Sequence, residues 1–147
     1  MKNGSNYATY LIIKFRRNKE ETRPELISFV EQMEGKDDEE SLTDAYSIYR
    51  ALDMQDEVDK VAKMAMEKYP AGDIAKINFT MNYFSVRERG ETFIANKIDE
   101  YIRQFGDPRD PNLDFLYQEL FIKYLEKKDT LSIAKYKVQL TDRNFWV

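Results

Sequence analysis

Apolar helical faces recur about every 36 residues along this chain of 147 residues, and that period constrains its fold more than any other feature. Val58, Ala62, Ala65, Met66 and Tyr69 lie over Ile94, Ile98, Tyr101, Ile102 and Phe105 at a constant offset, each set having the spacing of one helix face. A preceding helix in each unit repeats within one residue of the same interval. Leu42, Ala45, Tyr46 and Tyr49 fall over Ile77, Thr80, Met81 and Phe84, and these fall over Leu113, Leu116, Tyr117 and Leu120. Backwards along the chain, Leu26, Phe29, Val30 and Met33 take the places of Ala62, Ala65, Met66 and Tyr69. A helix pair of this size cannot bury its apolar faces alone, but stacked copies bury them continuously. The period therefore predicts an all-α fold: one domain over residues 1–147, a right-handed α–α superhelix of about four antiparallel helical hairpins, with seven to eight helices.

Local signals place those helices. The first is expected over about Asn6–Arg17, followed by a polar connection from Asn18 to Arg23. The second is expected to start at Pro24 behind Thr22 as cap, since proline suits a first turn, and to stop at Gly35. Lys36–Glu40 reads as a charged linker that lacks the ligand spacing of a calcium loop. Ser41 reads as the cap of the third helix, with Asp44 in a capping-box position. The fourth is expected over about Gln55–Tyr69, ended by Pro70-Ala71-Gly72. The fifth (about Asp73–Glu88) presents Ile77, Met81 and Phe84 inward, and the sixth ends at Phe105 before Gly106-Asp107-Pro108. A seventh is expected over about Asn112–Lys127 and an eighth over about Thr130–Leu140. Asn144-Phe145-Trp146-Val147 is an apolar end that reads as cut rather than finished. No segment alternates with a period of two, so strand content is expected near zero.

Composition removes whole classes of chemistry. Cysteine and histidine are both absent, which excludes disulfides, thiol catalysis, zinc–thiolate sites and histidine acid–base work within these residues. The net charge of −4 is mild and the 23 basic residues are dispersed, so no nucleic-acid partner is expected. No run approaches the ~20 apolar residues of a membrane span, so no membrane insertion is expected. The pair Glu88 and Glu91 lies at an exposed helix junction where nothing raises a carboxyl pKa. With no phosphate loop, nucleophile motif or metal cluster, no enzymatic activity, cofactor or metal is expected.

Two resemblances add to this reading. Leu42, Tyr49, Ala65 and Pro70 fall at the large, aromatic, small and terminal positions of a tetratricopeptide repeat, whereas Tyr46, Val58 and Ala62 depart from that pattern. The chain is thus TPR-like. The strings Asp37–Tyr46, Lys68–Ala75 and Asp114–Tyr117 also resemble the helical region preceding the thioredoxin-like domain of bacterial TlpA/AhpC-type thiol-disulfide oxidoreductases. In that family the redox chemistry belongs to a Cys-X-X-Cys motif in the following domain. The resemblance implies an accessory, exported, periplasmic region that positions or dimerises such a domain. Without it, the lack of an apolar leader places the chain in the cytoplasm, unless a signal has been removed.

Tetratricopeptide scaffolds bind extended peptides along the groove of their first helices. Carried onto this chain, the groove positions are Thr43, Ser47 and Arg50, then Asn78, Asn82 and Ser85, then Asp114, Gln118 and Phe121. Amides and hydroxyls that donate and accept at once suit sequence-tolerant peptide binding. The same positions also read as ordinary solvent-facing polar residues. Tyr83 falls off the main apolar face and reads as a surface aromatic, and Phe15–Lys19 with Arg16 and Arg17 as a basic helix end that suits either the helix dipole or an acidic partner. The expectation is a non-catalytic peptide- or protein-interaction module. The oxidoreductase accessory region and a small-ligand pocket between helices are the alternatives.

Overall fold

In the computed structural model, which describes residues 4–142 and the side chains of residues 6–137, the chain is all-α. Among the described residues eight helices follow one another: α1 (Gly4–Arg17), α2 (Lys19–Glu34), α3 (Glu39–Ala51), α4 (Gln55–Lys68), α5 (Asp73–Ser85), α6 (Glu91–Phe105), α7 (Asp114–Glu126) and α8 (Thr130–Asp142). A single 3-10 turn, Pro111–Leu113, leads into α7, and no strand occurs among the described residues. This is the fold class that the period predicts. The chain divides within α5, between Ile77 and Asn78, into two compact units.

In the first unit, α1 packs on α2, both pack on α3, and α3 packs on α4. Contact of each helix with the next and of first helices with each other is what stacked hairpins require. Leu11, Leu26, Val30, Leu42, Ile48 and Val61 are fully buried at these contacts, each worth about 1.5–3 kcal/mol relative to exposure. At one end, polar contacts tie the α2–α3 turn to the α4–α5 turn. Lys68 Nζ donates to the Asp37 carbonyl (2.6 Å) and carboxylate (2.5 Å), and the Tyr69 hydroxyl donates to the same carbonyl (3.3 Å). Glu39 Oε1 accepts from the Asp73 amide (3.1 Å), capping the start of α5 from another helix. The first two strings behind the oxidoreductase resemblance thus meet in one contact cluster.

In the second unit, α7 packs on α6 and α8 around Tyr83, Ile94, Ile98, Tyr101, Leu113, Leu116, Tyr117 and Leu120. Gly106 ends α6 at φ 81°, a left-handed cap that glycine adopts without a Cβ penalty, and its amide donates to the Ile102 carbonyl (2.8 Å). The buried carboxylate of Asp110 accepts from the Tyr101 hydroxyl (2.8 Å) and from the Asn112 amide (2.9 Å).

Several local expectations change. α2 begins at Lys19, five residues before Pro24, so the α1–α2 connection is Asn18 alone. Thr22 is no cap: it is fully buried, its amide closes the first turn on the Asn18 carbonyl (3.2 Å), and its hydroxyl has no partner. Glu20 and Glu21 complement the helix N-terminus there, which favours starting the helix early even with a proline inside it.

The cap of α3 is Asp38, not Ser41. Its carboxylate accepts from the Ser41 amide (2.9 Å) and hydroxyl (2.8 Å), so the same three-residue spacing operates one turn earlier. Asp44 is thereby left inside the helix and buried.

The inward face of α5 is Ile74, Ala75, Phe79 and Tyr83, while Met81 and Phe84 are each 53% exposed. α5 is apolar on several sides, so a fixed offset cannot choose its phase. Tyr83, expected at the surface, is buried for that reason. Residues 144–147, read as an apolar end, lie outside the described residues.

Candidate functional site

The first unit holds a cleft of about 380 Å³ lined by Ile12 and Arg16 of α1, Tyr46, Ser47 and Arg50 of α3, and Ile77 of α5. Its pattern is simple. On α1 an aliphatic residue precedes an arginine by four, and on α3 an aromatic residue precedes an arginine by four. Residues at that spacing share a helix face. Because α1 packs directly on α3, the two pairs face one cleft, with Arg16 and Arg50 each in the last turn of its helix.

The Arg50 guanidinium sits 5.7 Å from the centroid of the Tyr46 ring, a contact that orients a cation without neutralising it. Neither arginine forms an ion pair among the described residues. The two helix C-termini contribute about half a negative charge each, so two guanidinium groups leave the cleft net positive. Tyr46, which departs from the repeat pattern by its size, is 5% exposed and forms the cleft wall.

The nine groove positions divide between the two units. Thr43, Ser47 and Arg50 share the exposed side of α3. The Thr43 hydroxyl donates to the Glu39 carbonyl (2.8 Å) and the Ser47 hydroxyl to the Thr43 carbonyl (3.0 Å), so both present lone pairs outward rather than protons. In the second unit, Asn78 is half-buried, Asn82 and Ser85 are exposed, and the Ser85 hydroxyl donates to the Asn82 carbonyl (2.7 Å). Asp114 and Phe121 are half-buried and Gln118 is exposed along α7. Of the nine, only Ser47 and Arg50 line the 380 Å³ cleft. Arg16, read separately as part of a basic helix end, joins them there.

A second cleft in the same unit, about 430 Å³, is lined by Glu39, Glu40, Thr43, Asp44 and Asp73. Asp44 is 5% exposed and its Oδ2 has no hydrogen-bond partner. Burial, then repulsion by Glu40 and Asp38, pushes its carboxyl up to about 6, against a weaker pull from Lys36. Sequence reasoning missed this residue because its spacing from Ser41 imitates a cap.

In the second unit a half-buried ion pair is closed by its own partners. Glu119 accepts from the Tyr83 hydroxyl (2.7 Å) and from Arg89 Nε (3.0 Å), while Arg89 also donates to the Val86 carbonyl (2.5 Å) and stands 5.0 Å over the Tyr83 ring. Burial and the Glu119 carboxylate raise the Tyr83 pKa, keeping the hydroxyl protonated. Each group has its partner, so this is a structural clamp.

No helix of the described residues is long and apolar enough to cross a membrane, and no group of acidic residues among them is arranged to hold a metal ion. No family model, curated protein or solved structure matches the chain.

Proposed function

We propose that the protein is a non-catalytic, TPR-like interaction module whose α1–α3 cleft holds an extended peptide or partner segment bearing a carboxylate. The observation that carries this reading is the pair of guanidinium groups, Arg16 and Arg50, which share a cleft with Ile12, Tyr46 and Ile77 and form no ion pair with a carboxylate among the described residues. A planar guanidinium fork matches a carboxylate with two parallel hydrogen bonds. Ile12, Ile77 and the Tyr46 ring give the adjacent side chain an apolar seat, and the outward lone pairs of Ser47 suit a backbone amide of an extended segment. A preformed helical surface keeps the ordering cost on the protein side small.

The test is a random-peptide display selection on the full chain, followed by calorimetry of the enriched sequences. The reading predicts enrichment of Asp or Glu beside an apolar residue, with affinity falling at least about tenfold in Arg16→Ala/Arg50→Ala, the scale of one lost charge-assisted hydrogen bond. Enrichment without acidic residues, or affinity unchanged in a folded double variant, would refute it.

A further inference from the structure

The second cleft is unlike the first in charge and independent of the peptide-binding reading. Four of its five lining residues are carboxylates: Glu39, Glu40, Asp44 and Asp73. Acidic residues at helix starts usually answer the helix dipole, and here the cleft lies at the N-termini of α3 and α5. Each N-terminus supplies only about half a positive charge, so the two offset about one carboxylate of the four. Part of that acidity already has work: Glu39 caps α5.

Asp44 is not explained in this way. It lies beyond the first turn of α3, its side chain is 5% exposed, and its Oδ2 has no partner although it lines the cleft. A buried carboxylate with an unsatisfied oxygen costs free energy unless a cation or donor meets it. Lys36 acts on it only through space, without an ion pair. Lys68, in the last turn of α4, is committed to Asp37.

We propose that this cleft binds an organic cationic nitrogen, an ammonium or guanidinium group, with Asp44 as its buried anchor and Glu40 and Asp73 at the mouth. The lining chemistry favours that class. It has no aromatic or aliphatic residue to select an apolar ligand, and its carboxylates are not arranged for a metal ion. A volume of about 430 Å³ admits an alkylammonium or the end of an arginine side chain. The cation fills the place for which the fold supplies no donor and offsets the carboxylate repulsion. Two sources share this chemistry: a basic side chain of a peptide, or a free small amine.

The test titrates the full chain with 1,4-diaminobutane and, separately, with the tripeptide acetyl-Gly-Arg-Gly-amide. Backbone amide shifts and melting temperature are followed in wild type, Asp44→Asn, Glu40→Gln and the charge-matched control Glu67→Gln on the exposed side of α4. Saturable binding of either probe is expected, with shifts at residues 39–44 and 72–74. Asp44→Asn should weaken it at least about tenfold, as for one lost charge-assisted contact. Glu67→Gln should leave it within about twofold, since an exposed distant charge is screened. Binding of the diamine alone would assign a free amine, and binding of the tripeptide a basic side chain. No saturation by either probe below about 10 mM, or equal affinity in folded Asp44→Asn, overturns the proposal; Glu40→Gln applies the same criterion, with a smaller expected loss, if Asp44→Asn does not fold.

Discussion

Replacing Asp44 by Asn should make the folded chain more stable near neutral pH, and the gain should depend on pH in a defined way. In the folded state burial, with repulsion from Glu40 and Asp38, lifts the Asp44 carboxyl from an ordinary value of 3.8 to about 6. A carboxyl whose folded pKa is raised binds more protons folded than unfolded between those two values. Wild-type stability therefore falls as pH rises through that window, by about 1.4 kcal/mol per pH unit while the difference in protons bound is near one. The full shift corresponds to about 3 kcal/mol, and screening by water at the cleft mouth brings the expected effect to about 1.5–3 kcal/mol. Asparagine also changes packing and hydrogen bonding at Oδ2, but that difference is independent of pH and drops out of the slope. The assay is urea denaturation of both proteins from about pH 3.5 to 7.5, where each remains two-state. The stability difference should be flat below about pH 4, grow in favour of Asp44→Asn up to about pH 6, and then level off. A difference that is constant across the range, or that favours wild type increasingly at high pH, would refute the burial of an unpaired carboxylate at this position.

Other substitutions probe the remaining elements. Thr22→Val keeps the shape of a fully buried side chain while removing a hydroxyl with no partner, so thermal denaturation should show a gain of about 1 kcal/mol. Tyr83→Phe removes the hydrogen bond to Glu119 from a fully buried ring and should cost about 1–2 kcal/mol in urea denaturation; no loss would mean that the hydroxyl does not bond Glu119 as described. Gly106→Ala forces a Cβ into a left-handed backbone at φ 81° and should cost about 1 kcal/mol by the same assay.

Helix existence was legible from the sequence because apolar residues at helical spacing report directly on a buried face. Gln55–Lys68 was placed within one residue of its expected end, and the Leu42 and Leu113 sets are buried as the period requires. Phase and caps were less legible, each for a physical reason. α5 carries apolar side chains around most of its circumference, so Phe79 and Tyr83 turn inward where Met81 and Phe84 were expected. Asp38 and Ser41 compete as caps at the same spacing, and the winner is the carboxylate that accepts two hydrogen bonds from one serine. At the site, Ser47 and Arg50 were visible as outward positions of α3, but their partner Arg16 lies 31 residues from Ser47 on another helix. Only the packing of α1 on α3 brings them together. Asp44 was hidden because burial of a carboxylate leaves no compositional mark.

The most direct test of the α1–α3 cleft as a binding site is to reverse its charge. Wild type and Arg16→Glu/Arg50→Glu would be assayed by calorimetry against two peptides that are identical except that one bears Glu and the other Lys beside the apolar anchor found in the display selection. The cleft account predicts that wild type prefers the Glu peptide and that the reversed variant prefers the Lys peptide, each by at least about tenfold at low salt. The same preference in both proteins, with folding verified, would contradict it.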